Sequence, residues 1–161
     1  MKGEETLKND EKKVINIYTD GACSGNQFDT NVGGWGAILE FDGHKKELYG
    51  GERNTTNNRM ELFAVIMGLR NLKEKCIVKI YTDSAYVADA FNNGWIEQWV
   101  SNKWLTAGKK EVKNQDMWKA LISETKKHET KFIKVKGHSD NEYNNKCDIL
   151  AKKQILLNKA D

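Results

Sequence analysis

Apolar and polar positions alternate through "VINIYT" (14–19), the period of two expected of a strand with one buried face, and Asp20 stands at the end of that run. Two further β-rich runs follow, "GGWGAILEF" (33–41) and "HKKELYGG" (44–51), and the Asp42-Gly43 pair between them predicts a two-residue hairpin turn. Three neighbouring antiparallel strands are therefore expected. The pattern then changes period. "NNRMELFAVIMGLRNLKEK" (57–75) places Met60, Phe63, Ala64, Met67 and Leu72 on one helical face, with Thr56 as the N-cap. A short apolar strand, "CIVKIYTD" (76–83), and a helix from Ser84 to Phe91 come next. Residues 94–114 open as a short amphipathic helix with Trp95, Ile96, Trp99 and Val100 and continue as a lysine-rich loop. A helix over 115–128, a fifth strand over 130–137 and a closing helix over 141–158 complete the chain. Hairpins followed by strand–helix–strand units predict an α/β protein with a mixed sheet.

Composition narrows the class. A chain of 161 residues suits one domain with its own core. With 30% charged residues and only short apolar runs, a helical membrane protein is excluded. The opening "MKGEETLKNDEKK" lacks the apolar stretch of a leader, so residues 1–13 are expected to be a flexible segment ahead of one domain over 14–161, in the cytoplasm. Cys23, Cys76 and Cys147 are odd in number and lack CxxC spacing, which predicts free thiols. The net charge of +3 is unevenly spread: Ser101 to Lys136 holds ten lysines against four acidic residues. A solvated helix face would explain the lysines alone; together with Trp104 and Trp118 they point to a polyanionic partner.

The candidate chemistry lies in carboxylates. The tripeptide "YTD" ends two strands, at 18–20 and 81–83. One strand-terminal aspartate is most simply a cap, but if the two strands are neighbours, Asp20 and Asp83 emerge together and repel unless a cation compensates. Glu61 in "TTNNRMEL" flanks the apolar stripe of its helix, and Asp148 in "NNKCDILAKK" sits mid-helix, where aspartate is a poor former with no capping role. Oxygen ligands without Cys or His spacing suit Mg²⁺ or Mn²⁺ rather than zinc. Acidic ligands beside a polyanion-seeking surface suggest phosphoryl transfer with two metal ions. His138, in "VKGHSD", is either a solvated loop histidine or a proton carrier for the reacting phosphate.

The ordered motifs "YTDGACSGN", "GGWGAIL", "TTNNRMEL", "YTDSAYV", "KKEVKN" and "VKGHSDNEYNNKCDILA" together resemble type 1 ribonuclease H, from Val14 to Ala151. The resemblance implies a ribonuclease H-like fold: a five-stranded mixed sheet, three antiparallel strands plus two parallel, with helices on both faces. It also implies an endonuclease that hydrolyses the RNA strand of RNA–DNA hybrids, leaving 5′-phosphate and 3′-hydroxyl ends. The cofactor implied is Mg²⁺, with Mn²⁺ as a substitute, two ions per site when substrate is bound. Carried over by motif, Asp20, Glu61, Asp83 and Asp148 are the catalytic metal ligands and His138 the mobile-loop histidine. Cys23, Asn26, Asn57 and Asn58 match positions that read RNA 2′-hydroxyls. Thr56 and Asn114 match a DNA-phosphate pocket, Phe91 and Trp99 an aromatic channel, and Lys103, Trp104, Lys109, Lys110 and Lys113 a basic protrusion. The family precedent is a monomer.

The chain also departs from the family pattern. Its "NQFDTNV" loop (26–32) is longer and lacks prolines, Ala85 replaces a frequent glutamine, Asn54 replaces an arginine, and the protrusion is shortened. Weaker substrate binding with heavier reliance on the remaining lysines is the expectation. Two other functions compete: a catalytically silent hybrid-binding module, and a related two-metal nuclease or integrase acting on DNA. The four carboxylates oppose the first, and Asn57-Asn58 with the lysine-rich protrusion oppose the second.

Overall fold

The computed structural model describes residues 12–25, 31–137 and 141–159. The expected N-terminal lead thus lies, apart from Lys12 and Lys13, outside the described residues, as do Asn26 and His138. Ten elements follow one another: β1 (Val14–Ser24), β2 (Val32–Phe41), β3 (His44–Arg53), α1 (Asn57–Arg70), β4 (Ile77–Thr82), α2 (Ala85–Asn92), α3 (Trp95–Ser101), α4 (Gln115–Thr125), β5 (Glu129–Lys134) and α5 (Glu142–Lys159).

The five strands form one sheet in the order β3-β2-β1-β4-β5. β1, β2 and β3 pair antiparallel, and β4 and β5 add in parallel beyond β1, the mixed sheet the sequence predicts. Asp42 and Gly43 turn the β2–β3 hairpin with φ of 50° and 83°, the left-handed pair that a tight hairpin demands. Alternation along β1 divides the core. Ile15 and Ile17 join Val78, Ile80, Trp35 and the buried face of α1 on one side. Tyr18 and Ile38 meet Cys147 of α5 on the other.

Several boundaries differ from the sequence expectation. β1 does not stop at Asp20 but continues to Ser24, because "GGWG" of β2 keeps pairing with residues 20–23. α1 ends at Arg70 rather than near 75: the Asn71 N–H bonds to the Gly68 and Leu69 carbonyls, and the chain leaves the helix. β5 stops at Lys134, three residues before the expected end. α4 ends at Thr125, not His128, whose Nδ1 instead accepts from the Cys76 N–H at 3.1 Å and ties the chain to the start of β4. The buried face of α1 is also wider than the predicted stripe, since Leu62, Val65, Ile66 and Leu69 are fully enclosed while Phe63 and Met67 are half-buried. All three cysteines are free. Among the described residues, no helix is long and apolar enough to cross a membrane.

Close approach of α5 to the sheet depends on missing side chains. A Cβ at Gly36 would lie 2.8 Å from the Cys147 carbonyl oxygen, so the helix rests on nearly bare backbone and carries Asp148 toward β1.

A polar network locks the other face. Trp118 is fully buried, and its Nε1 donates to the Tyr86 hydroxyl at 3.1 Å, which also accepts from Asn114 Nδ2 at 3.0 Å. Tyr86→Phe would leave the indole N–H without its acceptor, a loss of about 1 to 3 kcal/mol. A lowered denaturant midpoint at unchanged slope is the expected observation.

Candidate active site

The parallel register pairs Tyr18 with Tyr81, and their rings stack with centroids 4.7 Å apart. The two "YTD" tripeptides are therefore side by side, and Asp20 and Asp83 emerge together from adjacent strands. Glu61 arrives from the first turns of α1. A Cβ built at Gly21 would sit 2.5 Å from the Glu61 amide nitrogen and the Met60 carbonyl carbon, so β1 and α1 touch backbone to backbone at this point. Carboxylate oxygens of Asp20, Glu61 and Asp83 lie within 4.8 Å of one another. Asp148 lines the same cleft, a space of about 300 Å³ shared with Lys136 and Lys152, and is ion-paired with Lys152 Nζ at 3.0 Å.

Crowding and burial hold two carboxyls of this cluster away from ionisation. Burial, the Asp83 charge and a hydrogen bond shared with Asp148 push the Asp20 carboxyl up to about 8, against a single N–H from Gly21 at 2.9 Å. Glu61 is driven well above the carboxylate range by burial and then by the charges of Asp20 and Asp83. Its Oε1 is buried with no hydrogen-bond partner among the described residues. Converging carboxylates with an orphaned oxygen and, among the described residues, no histidine or cysteine in the group fit a hard divalent cation.

A pH dependence follows. Between the unfolded value of 3.8 and the folded value of about 8, folded Asp20 holds a proton that the unfolded chain has released. The stability this group contributes is therefore fully present below about 3.8, falls as pH rises through that window, and is lost above about 8. In chelator, the melting temperature of Asp20→Asn minus that of the parent is expected to grow from pH 5 to pH 8.5. Saturating Mg²⁺ or Mn²⁺ should raise the parent and shrink the difference; parallel melting curves across that range would contradict the assignment.

The remaining described candidate residues lie outside the lining of this cleft. Thr56 accepts from the Arg59 N–H at 3.1 Å and caps α1, setting Asn57 and Asn58 on its exposed first turn. Cys23 reaches that turn through a 3.7 Å contact from its Sγ to the Thr55 carbonyl. Arg59 ties the same turn to α4, donating to Asn114 Oδ1 at 3.1 Å and to both Asp116 oxygens. Phe91 stacks on Phe132 at 4.0 Å, and Trp99 packs between Trp118 at 5.1 Å and Trp104 at 6.0 Å, leaving both residues half-buried. Lys103, Lys109, Lys110 and Lys113 are exposed on the loop that follows α3. Gly137 places the chain beside Asp83 immediately before His138, which itself is outside the described residues. Sequence reasoning did not single out Arg59, Lys152 or Asn144. For the last two the available signal was helical spacing, since each lies four residues from Asp148 on the same helix.

Comparison with known proteins agrees with this geometry. The family model described as RNase H matches residues 12–156. A ribonuclease H of Caldanaerobacter subterraneus subsp. tengcongensis is 56% identical over 149 residues, covering 92% of this chain and 95% of that protein. A ribonuclease H of Acetivibrio thermocellus is 54% identical, covering 91% of this chain and 97% of its own length. Among solved structures, a type 1 RNase H with the type 2 active-site motif superposes with a TM-score of 0.79 at 26% identity, covering 89% of this chain and 72% of that one. With a family match over nearly its whole length, relatives above half identity and the mixed sheet that carries the carboxylates, this chain belongs to the ribonuclease H family.

Proposed function

We propose that the protein is a metal-dependent endonuclease that hydrolyses the RNA strand of RNA–DNA hybrids, leaving 5′-phosphate and 3′-hydroxyl ends. The observation that carries this reading is the convergence of Asp20, Glu61 and Asp83 within 4.8 Å at one end of the sheet. Asp20, Glu61, Asp83 and Asp148 are the residues that would hold the cofactor, Mg²⁺ with Mn²⁺ as a substitute. Two such ions, when bound, supply Lewis acidity to the attacking water and to the leaving 3′ oxygen. The protein's own part is to place charge. Asp20 and Glu61 are held where their carboxyls resist ionisation without a cation, so the folded site is built for one. Asp148, paired with Lys152, offers a fourth carboxylate from the α5 side. His138, the next residue in sequence after Gly137, takes and returns protons at the reacting phosphate.

Substrate choice rests on two surfaces. Asn57, Asn58, Cys23 and Asn26 read the 2′-hydroxyls that only RNA offers. On the DNA side, Thr56 and Asn114 hold a phosphate, Phe91 and Trp99 line the deoxyribose channel, and the loop carrying Lys103, Trp104, Lys109, Lys110 and Lys113 tracks the backbone. Lysine–phosphate contacts release counterions and read no sequence. Lys109→Ala combined with Lys110→Ala is expected to reduce the slope of log affinity against log salt by roughly 1 to 2. An unchanged slope would remove those lysines from the interface. A single catalytic unit, acting as a monomer in the cytoplasm, completes the reading.

The test compares end-labelled RNA–DNA hybrid, double-stranded RNA, single-stranded RNA and duplex DNA, each with Mg²⁺, Mn²⁺ or EDTA. Internal cuts confined to the RNA of the hybrid and absent in EDTA are expected. Cleavage of duplex DNA, or binding of hybrid without cleavage under either metal, would overturn it.

A further inference from the structure

Asn144 lies in the first turn of α5 and is 9% exposed. Its Nδ2 donates to the Tyr81 carbonyl at 3.2 Å and to the Thr19 carbonyl at 3.4 Å. Both acceptors are carbonyl oxygens, so only the amide nitrogen can face them and the orientation of the side chain follows from chemistry. These two carbonyls mark a fork in the sheet. The parallel ladder between β1 and β4 makes its last pair at Tyr18 and Tyr81. Beyond it, β1 runs on with β2 as far as Ser24, while β4 ends at Thr82. Asn144 bridges the two strands where they part, next to Asp20 on one and two residues before Asp83 on the other.

Resting on the reading of the acidic cluster as a cation site, we propose that Asn144 is a positioning residue that clips the ends of β1 and β4 together and fixes the separation of Asp20 and Asp83. Two carboxylates on adjacent strand ends repel. A strand pair whose own ladder has ended has no backbone hydrogen bond left to oppose that repulsion, and one amide from the covering helix supplies two. The side chain is held for this role from behind, because Asn141 Oδ1 accepts from the Asn144 N–H at 3.1 Å and fixes the start of the helix. Among the described residues the Oδ1 of Asn144 is buried without a partner, a cost that an apolar residue of similar shape would not carry.

The experiment uses the full chain with Asn144→Leu, which keeps the branched shape and removes the donors, and Asn144→Ala, which removes them without overpacking. Melting temperature is read with and without Mn²⁺, and kcat and KM are read on RNA–DNA hybrid. In both variants the Mn²⁺-induced rise in melting temperature is expected to shrink by at least about half, with Mn²⁺ affinity about 10-fold weaker. Turnover is expected to fall about 10- to 100-fold, as displacement of reacting groups by about 1 Å does, with KM within about two-fold of the parent. Variants that melt lower without cation yet keep the full Mn²⁺ shift and parental kcat would overturn the proposal and leave Asn144 merely structural. If the parent shows the Asn144-dependent Mn²⁺ shift but cleaves no hybrid, the clip stands and the assigned reaction falls.

Discussion

Asp20→Asn is expected to lower cleavage of RNA–DNA hybrid by at least about 10³-fold while hybrid affinity stays within about three-fold, a loss of roughly 4 kcal/mol confined to the transition state. The substitution keeps the size of the side chain and removes one negative charge from the centre of the cluster. Asp20 is the most enclosed of the aspartates there, at 7% exposure, and its carboxyl is raised by burial, by Asp83 and by Asp148. The same change is expected to stabilise the cation-free protein. Above pH 8 the parent must carry an ionised, buried Asp20 beside two other carboxylates, and asparagine removes that repulsion. A gain of about 2 kcal/mol corresponds to a rise of about 4 to 8 °C in a chain of this size. Opposite signs on activity and on stability are what a cation site predicts. A structural aspartate would lose both together, so a destabilised Asp20→Asn that still turns over would contradict the assignment.

Gly21→Ala carries the largest expected stability loss. The added methyl would meet the Glu61 amide nitrogen and the Met60 carbonyl carbon at 2.5 Å, and both are backbone atoms that cannot rotate away. β1 and α1 must then separate by about 1 Å along a contact that includes the fully buried Met60 and Leu62. Overpacking of this kind costs about 3 kcal/mol or more when no side chain can yield, which is roughly 6 to 12 °C in melting temperature. Glu61 moves with its helix, so the folded fraction is also expected to lose turnover by about 10²-fold, the scale of an ångström-sized misplacement. Circular dichroism melts alongside single-turnover cleavage check both effects. Parental stability in Gly21→Ala would mean that β1 and α1 do not meet at this point.

The repeated "YTD" was legible because parallel neighbours place like positions side by side, and the Tyr18–Tyr81 register bears that out. The hairpin at Asp42-Gly43 was equally plain, since few residue pairs accept two left-handed conformations in succession. The end of β1 was misplaced because one strand belongs to two ladders. Its pairing with β4 stops at Tyr18, whereas its pairing with β2 continues for six residues to Ser24. Alternation sees the first ending and not the second, because β1 itself reads "DGACS" over residues 20–24, with no apolar–polar alternation, and three of the partners there are glycines. Convergence of Glu61 on Asp20 was legible only through the family resemblance. Its physical cause is the absence of a side chain at Gly21, and close approach between distant segments leaves no periodic trace. Helical spacing set Asn144 on the same face as Asp148, but its role could not be read. In "NNKCD" it reads as one polar residue of a helix start, and only the fork between β1 and β4 gives its amide two carbonyls to hold.

A Mn²⁺ titration followed by electron paramagnetic resonance of the free ion, on the parent and on Asp20→Asn, tests directly whether the carboxylates at the end of the sheet hold a cation. The predicted result is that the parent depletes the free-ion signal, that Mg²⁺ restores it by competition, and that Asp20→Asn leaves it undepleted at the same concentrations. Equal depletion by both proteins would place the cation elsewhere and contradict a metal site built on Asp20, Glu61 and Asp83.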